Sequence, residues 1–366
     1  MTRRIVVFGA TGYTGEGTAR ALVARGVRPV LAARSAERLE RLADELGGLE
    51  TRVADVERPE TVRALVEGRD VLVSTVGPFV RWGAPALEAA IDAGAVYIDS
   101  SGEPAFIRRV FEDCGPRARE TGASLLTAFA YDWVPGNLAG ALALDEAGDA
   151  ATRVQIGYFG QGEAGSSGGT KASLMGAVVE PSFGFRGGRL TAERVGARVR
   201  TFDLGDSRSG RAISVGGSEH LTLPALHPQL RQVDVLLGMA GAHVRFIPFL
   251  TAPIAAAAAL PRGRAALQGV LRRQGKGSTR GPDEHARSRT GTTVLATAYA
   301  ADGRELSTVR LEGVNSYTFG FDMLAWAATT AATGDLGTAG ALGPVAAFGL
   351  SELEAGVREA GIKRVR

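Results

Sequence analysis

Along the first 130 residues, short apolar runs alternate with amphipathic stretches. Residues 3–9, RRIVVFG, form a β-branched run ending in glycine, which predicts a buried strand. Residues 13–25 then place Ala19, Leu22 and Val23 on one helical face. Further strands are predicted at 28–33, 50–54, 70–75, 95–99 and 123–128. Helices are predicted after Ser35, over 59–67 with Pro59 in the first turn, and over 84–93 and 104–121. Strands alternating with helices through short connections dictate a parallel sheet covered on both faces, a doubly wound α/β domain.

The pattern changes after about residue 150. Residues 152–160, 198–204, 211–215, 292–300 and 304–312 read as strands, and Ala301-Asp302-Gly303 is a hairpin turn signal. Helices are predicted at 171–179, 227–240 and 249–273. The expectation is a second α+β domain built on an antiparallel sheet. Residues 322–361 read as helical again and are expected to return to the first domain. The domain limits that follow are 1–135, 136–321 and 322–366.

Composition narrows the classes. Of 42 basic residues only Lys171, Lys276 and Lys363 are lysine, and the net charge is +3, so the arginine excess carries no nucleic-acid signal. The single cysteine, Cys114, excludes an intramolecular disulfide framework, and the four dispersed histidines suggest no metal site. The strand pattern begins at once and leaves no room for a signal peptide. The longest uncharged apolar run, Phe246 to Leu260, falls short of the roughly 20 residues of a spanning helix. A cytoplasmic protein without a transmembrane span is expected.

Between the first strand and helix stands Gly9-Ala10-Thr11-Gly12-Tyr13-Thr14-Gly15. Small residues there let a backbone approach a pyrophosphate, and the helix start supplies N–H donors and partial positive charge. This context predicts a Rossmann-type dinucleotide site. The second strand ends Ala32-Ala33-Arg34-Ser35, with no carboxylate for a ribose 2′-hydroxyl. Arg34 and Ser35 suit a 2′-phosphate, so the expected cofactor is NADP(H). Asp55 and Val56 stand where an adenine would lie, and serve equally as a turn. Thr75-Val76-Gly77-Pro78-Phe79 follows the fourth strand, where the nicotinamide half is expected, with Phe79 as a wall for its ring.

The chain resembles the saccharopine dehydrogenase-like oxidoreductases, in particular a bacterial branch similar to trans-acting enoyl reductases. The resemblance rests on GATGYTG at 9–15, STVGPFVRWGAPALEAAIDAGAVYIDSSGE at 74–103, AYDWVPGNLAGALAL at 130–144 and SYTFGFDMLAWAA at 316–328. A polar Gly-Pro-rich loop from Gly275 to Arg289 follows the same pattern. The resemblance implies hydride transfer to a C=N or C=C bond, but no set of charged residues matches a clamp for a long dicarboxylate amino acid. VDVLLGMAG at 233–241 and FIPFLTAPIAAAAAL at 246–260 favour an apolar or lipid-like substrate, or else form a buried helix pair or a homodimer interface.

Reduction by hydride also needs a proton source. The Tyr-x-x-x-Lys arrangement of short-chain dehydrogenases is absent, because Ser167, Arg272 and Glu359 stand four positions before the lysines. Tyr131, Glu103 and Lys171 are the candidate catalytic groups. Phe79, Ser101, Glu103, Tyr131 and Asp132 are the candidate substrate contacts. Each of the polar ones serves equally as a cap, a packing residue or a surface charge, and solvent can protonate an imine product unaided. The basic stretch Arg262 to Arg289 suits a phosphorylated carrier or simply solvent. Two readings stand: an NADPH-dependent reductase, and a non-catalytic NADP-binding sensor.

Overall fold

The computed structural model describes residues 3–162, 176, 179–205, 208–274, 281–334 and 336–365. Its first sheet holds β1 (Ile5–Phe8), β2 (Val30–Ala33), β3 (Thr51–Val53), β4 (Val71–Ser74), β5 (Val96–Asp99) and β6 (Ser124–Leu126). All pair in parallel, in the order β3-β2-β1-β4-β5-β6, with Gly340–Ala341 added beyond β6. Successive side chains alternate between the two faces of the sheet. Ile5, Val7, Val71 and Val73 enter one core, and Val6, Phe8, Leu72 and Tyr97 enter the other. That two-sided burial explains the near-continuous apolar strands. The chain runs outward from β1 to β3 and returns to β4 on the other side of β1. A crevice therefore opens at the carboxyl ends of β1 and β4.

The second sheet holds β7 (Arg153–Gln161), β8 (Phe183–Arg186), β9 (Arg189–Ala192), β10 (Val199–Asp203), β11 (Ser209–Ser214), β12 (Gln232–Met239), β13 (Gly291–Tyr299) and β14 (Glu305–Val314). Its main order is β10-β11-β12-β7-β13-β14, followed by Ile362–Val365. It is mixed rather than antiparallel throughout, because β12 and β7 pair in parallel. The long connection from β7, which carries β8 to β11, brings β12 back in the same direction. β12 also replaces the helix expected over 227–240. Val233, Asp234, Val235 and Leu236 are all buried, and a short apolar run covered on both sides has no period to distinguish it. Most of the helix expected at 171–179 lies outside the described residues.

The last segment contributes to both sheets. The helix Ser316–Thr333 packs along Tyr13–Ala24, so that a Cβ on Gly17 would lie 2.5 Å from the Phe321 ring. Gly340–Ala341, a strand inside the stretch read as helical, then pairs with β6, and Ile362–Val365, just beyond that stretch, pairs with β14. Gly17→Val overpacks the helix contact and is expected to cost about 1–3 kcal/mol, with no change in secondary structure. Urea unfolding measures it, and unchanged stability would show that the two helices do not pack this closely.

Candidate active site

Gly9 ends β1 in the left-handed region, with φ at +89°, and its amide donates to the Ala32 carbonyl at 2.8 Å. A Cβ there would stand 2.7 Å from Thr75 Oγ1, while one on Gly15 would stand 2.2 Å from the Gly9 carbonyl oxygen. Only glycines permit so tight a junction of β1, β4 and the helix. The first intrahelical bond runs from Glu16 N to Gly12 O at 2.8 Å. The preceding amides of Tyr13, Thr14 and Gly15 have no carbonyl one turn back, and they form the positive end of the helix. This donor set fits a dinucleotide pyrophosphate. Thr11 adds its backbone, whose carbonyl accepts from Arg38 Nη2 at 2.6 Å.

The side chain of Tyr13 belongs to a different contact. Its hydroxyl donates to the Pro282 carbonyl at 2.5 Å and accepts from Arg287 Nη1 at 3.0 Å, and its ring packs edge-on against Tyr317 and Phe321. Only its main chain reaches the glycine turn. At the other end, Arg34 is exposed and has no ion pair or hydrogen bond among the described residues. Ser35 is the N-cap of Ala36–Glu45 and accepts from Arg38 N at 3.4 Å. Asp55 closes a turn, its carboxylate accepting from Glu57 N at 3.0 Å, and Val56 packs partly into the neighbouring core. Thr75 donates its hydroxyl to the Phe8 carbonyl at 3.1 Å, and Val76 and Pro78 stay partly exposed beside the open Gly77.

At the carboxyl edge the structure brings together the loops after β4, β5 and β6, with different roles from those expected. Asp99 is fully buried, and its Oδ1 accepts from Ser101 N at 2.8 Å and Ala128 N at 2.9 Å. Glu103, expected as a catalytic acid and substrate contact, is 5% exposed, and its two oxygens accept from Phe79 N at 2.8 Å and Val80 N at 2.9 Å. It caps the short helix Phe79–Trp82. Ser101, expected at the substrate, is sealed, with its hydroxyl accepting from Glu103 N at 3.2 Å. Phe79 is buried and packs on Phe106 at 5.6 Å. As the largest apolar group of its loop, it gains more from that core than from an open cleft. Lys171 lies outside the described residues.

Tyr131 and Asp132 remain half-buried beside this edge. A Cβ on Gly102 would stand 3.0 Å from Asp132 Oδ2, so the loops touch. Burial pushes the Asp132 carboxyl up to about 6. Burial also raises Asp99 to about 6, against the pull of its backbone donors. Desolvation and the nearby Asp132 hold the Tyr131 phenol well above the ordinary range. Its hydroxyl makes no hydrogen bond among the described residues, and its ring meets Tyr158 edge-on at 5.6 Å.

The sequence reading missed Glu219, which is completely buried. Tyr158 Oη stands 2.6 Å from Glu219 Oε1 and 3.1 Å from the Trp133 carbonyl oxygen, and it accepts from Gly136 N at 2.8 Å. One phenol proton cannot serve two acceptors. A protonated Glu219 resolves the conflict by donating to Tyr158 while Tyr158 donates to Trp133. Burial pushes the Glu219 carboxyl up to about 8, in the same direction. The available signal was the pair Gly216-Gly217 just ahead of it, since a Cβ on Gly217 would stand 2.4 Å from Glu219 Oε2. Asn137 ties the same region together, donating to Ser218 Oγ at 2.9 Å and accepting from Thr222. Gly216, whose Cβ would stand 3.0 Å from that of Pro104, brings the second sheet's loop against the first domain's edge. A separate cavity of about 870 Å³ on the second sheet, lined by Gln155, Thr201 and Arg310 among others, shares none of these loops. No cluster of three His, Cys, Asp or Glu suited to a metal occurs among the described residues.

Comparison with known proteins agrees with this geometry. Residues 5–126 match the family described as saccharopine dehydrogenase NADP binding domain. A trans-acting enoyl reductase of Mycobacterium ulcerans is 36% identical over 140 residues, which cover 37% of this chain and 34% of the relative. A Mycobacterium tuberculosis protein is 36% identical over 183 residues, 47% of this chain and 43% of its own. The chain thus spans less than half the length of these relatives. Apo saccharopine dehydrogenase (L-Glu forming) from Saccharomyces cerevisiae superposes over 100% of both chains with a TM-score of 0.62 at 12% identity, which shows a shared fold. The matches bear out the resemblance read from the motifs at 9–15 and 74–103, and NADP as the cofactor of this domain type.

The buried acids predict a pH dependence. A folded protein that holds a carboxyl proton its unfolded chain would lose becomes less stable as pH rises, until the folded pKa is passed. Asp99 and Asp132 act this way only up to about 6, and Glu219 up to about 8. Burial lowers His220 to about 4, which has the opposite sign and acts below its ordinary value of 6.5. Between pH 6.5 and 8 the wild type should therefore lose thermal stability, and Glu219→Gln should flatten that slope. Thermal unfolding across this range checks it, and parallel slopes would show an ionised Glu219.

Proposed function

We propose, on the premise that residues 5–126 are an NADP-binding domain of the saccharopine dehydrogenase type, that this chain is an NADPH-dependent oxidoreductase. Its substrate is a small or lipid-like metabolite carrying a C=C or C=N bond. What supports this reading is the exposed Arg34 after β2, with no partner among the described residues, and the half-buried Tyr131–Asp132 pair after β6, at the same carboxyl edge of the sheet. The relatives named as enoyl reductases favour C=C over C=N. The domain limits read from the sequence, 1–135, 136–321 and 322–366, place the cofactor on the first and the substrate cover on the second.

The glycine turn binds the pyrophosphate through amides, and Arg34 pairs with the 2′-phosphate. Val76 and Gly77 border the nicotinamide half. Bound NADPH supplies the hydride, and the chain supplies orientation, exclusion of water and a proton. Asp132 offers that proton. Its carboxyl sits at the joined edge, half-buried and raised toward neutrality, whereas Glu103 is fully engaged with backbone amides. Tyr131, held protonated with its hydroxyl buried, packs its ring edge-on against Tyr158 and Phe319 and fixes the loop that presents Asp132.

Two results test this. Arg34→Ala should weaken NADPH binding at least tenfold, about 1.4 kcal/mol, and leave NADH binding unchanged. Fluorescence titration decides it, and equal wild-type affinities for the two cofactors would refute the 2′-phosphate role. With enoyl thioesters as substrates, Asp132→Asn should lower kcat about 10²-fold with unchanged NADPH affinity, and wild-type kcat should fall above about pH 6. An unchanged rate in the variant would remove Asp132 from the chemistry.

A further inference from the structure

The apolar stretch at 246–260 is neither a buried helix pair nor a wall of the crevice. The helix Ile247–Ala259 buries only Thr251 and Ala258. Phe249 is 75% exposed, Leu250 64%, Leu260 65% and Phe246 49%. After Leu260 the chain bends by 114° into the helix Pro261–Gln274. The pair is fixed to the body at its base. Arg194 Nη2 donates to the Pro248 carbonyl at 2.9 Å, and Gln268 Nε2 donates to Glu180 Oε1 at 2.8 Å. Arg264 Nε braces the bend from inside, donating to the Ala258 carbonyl at 3.0 Å. Several large apolar side chains on one fixed projection form a surface built for contact.

Charge says what covers it. No Asp or Glu stands between Asp234 and Asp283, whereas Arg245, Arg262, Arg264, Arg272, Arg273, Lys276 and Arg280 do. Arg262 is exposed at the bend beside Leu260, and the exposed Arg245 lies with its guanidinium 4.7 Å over the Phe246 ring. Apolar tips and positive charge therefore share one projection. A second copy meets this face poorly, because a two-fold contact sets two arginine-rich segments against each other, and neither segment, 235–282, carries an acid of its own. Among the described residues no single helix is long and apolar enough to cross a membrane, and a span bent by 114° is not a straight crossing.

We propose that this helical pair docks the protein on the surface of an anionic phospholipid bilayer. Phe249, Leu250 and Leu260 enter the boundary between headgroups and acyl chains, and the arginines pair with lipid phosphates. The contact is peripheral and reversible, and it does not depend on the reaction assigned to the crevice.

Co-sedimentation of the full chain with vesicles tests it. Wild type should bind phosphatidylcholine vesicles containing phosphatidylglycerol at least tenfold more than pure phosphatidylcholine vesicles, and raised salt should release it. Phe249→Glu combined with Leu250→Glu should abolish binding, with circular dichroism and thermal unfolding unchanged because both side chains face solvent. Arg245→Gln combined with Arg262→Gln should weaken binding to the anionic vesicles alone. Wild type remaining in the supernatant with both vesicle types overturns the proposal, as does undiminished binding of the Phe249/Leu250 variant. A wild-type dimer that ignores vesicles, and becomes monomeric in that variant by analytical ultracentrifugation, would assign the face to a second copy.

Discussion

The carboxylate of Asp99 accepts from Ser101 on its own loop and from Ala128 at the end of the next strand, entirely out of water. Glu103, four residues on, accepts from Phe79 and Val80 after β4. Two buried acids thereby tie three loops into one edge. Burying a carboxyl is unfavourable unless backbone donors or a proton compensate it. Asp99 and Glu103 have the donors. The edge then has a fixed shape before any ligand arrives, and the half-buried Asp132 is held against Gly102 by that shape.

A second layer of constraint comes from across the domain boundary. Glu219 and Tyr158 arise from the second domain, yet they close around Trp133 and Gly136 at the start of the helix that leaves the first. Their shared proton is what lets both oxygens be buried together. Deeper in the second sheet, Asp234 meets the same problem in the opposite way, through Arg153, Arg186 and Arg198. One acid is neutralised by a proton and the other by cations. Glu219, raised to about 8, responds to pH near neutrality.

Much of the first domain was legible, because its strands and helices announce themselves by period and its glycine turn by context. Ser35 and Pro59 stand at the helix starts where the sequence placed them. The second domain was less so. β12 has no alternation to read, since both its faces are covered, and its parallel partner β7 is reached through a long connection that leaves no local trace. Among the site residues, position was read better than role. Glu103 lies where a substrate acid would stand, but its partners come from residues more than twenty positions away, and no local pattern reveals them. Phe79 likewise sits in the expected loop, but its ring is buried on Phe106.

The central claim is that one crevice at the β1–β4 switch point brings the reactive end of the cofactor to Tyr131 and Asp132. A crystal structure with NADP bound measures this directly. The account predicts the pyrophosphate on the amides of residues 13–15, the 2′-phosphate on Arg34, and the nicotinamide C4 facing a space bordered by Gly77, Gly102 and Asp132. That space should admit an acceptor atom at about 3–3.5 Å from C4. A nicotinamide directed away from Asp132, or Tyr131 and Asp132 sealed from it by intervening side chains, would contradict the account.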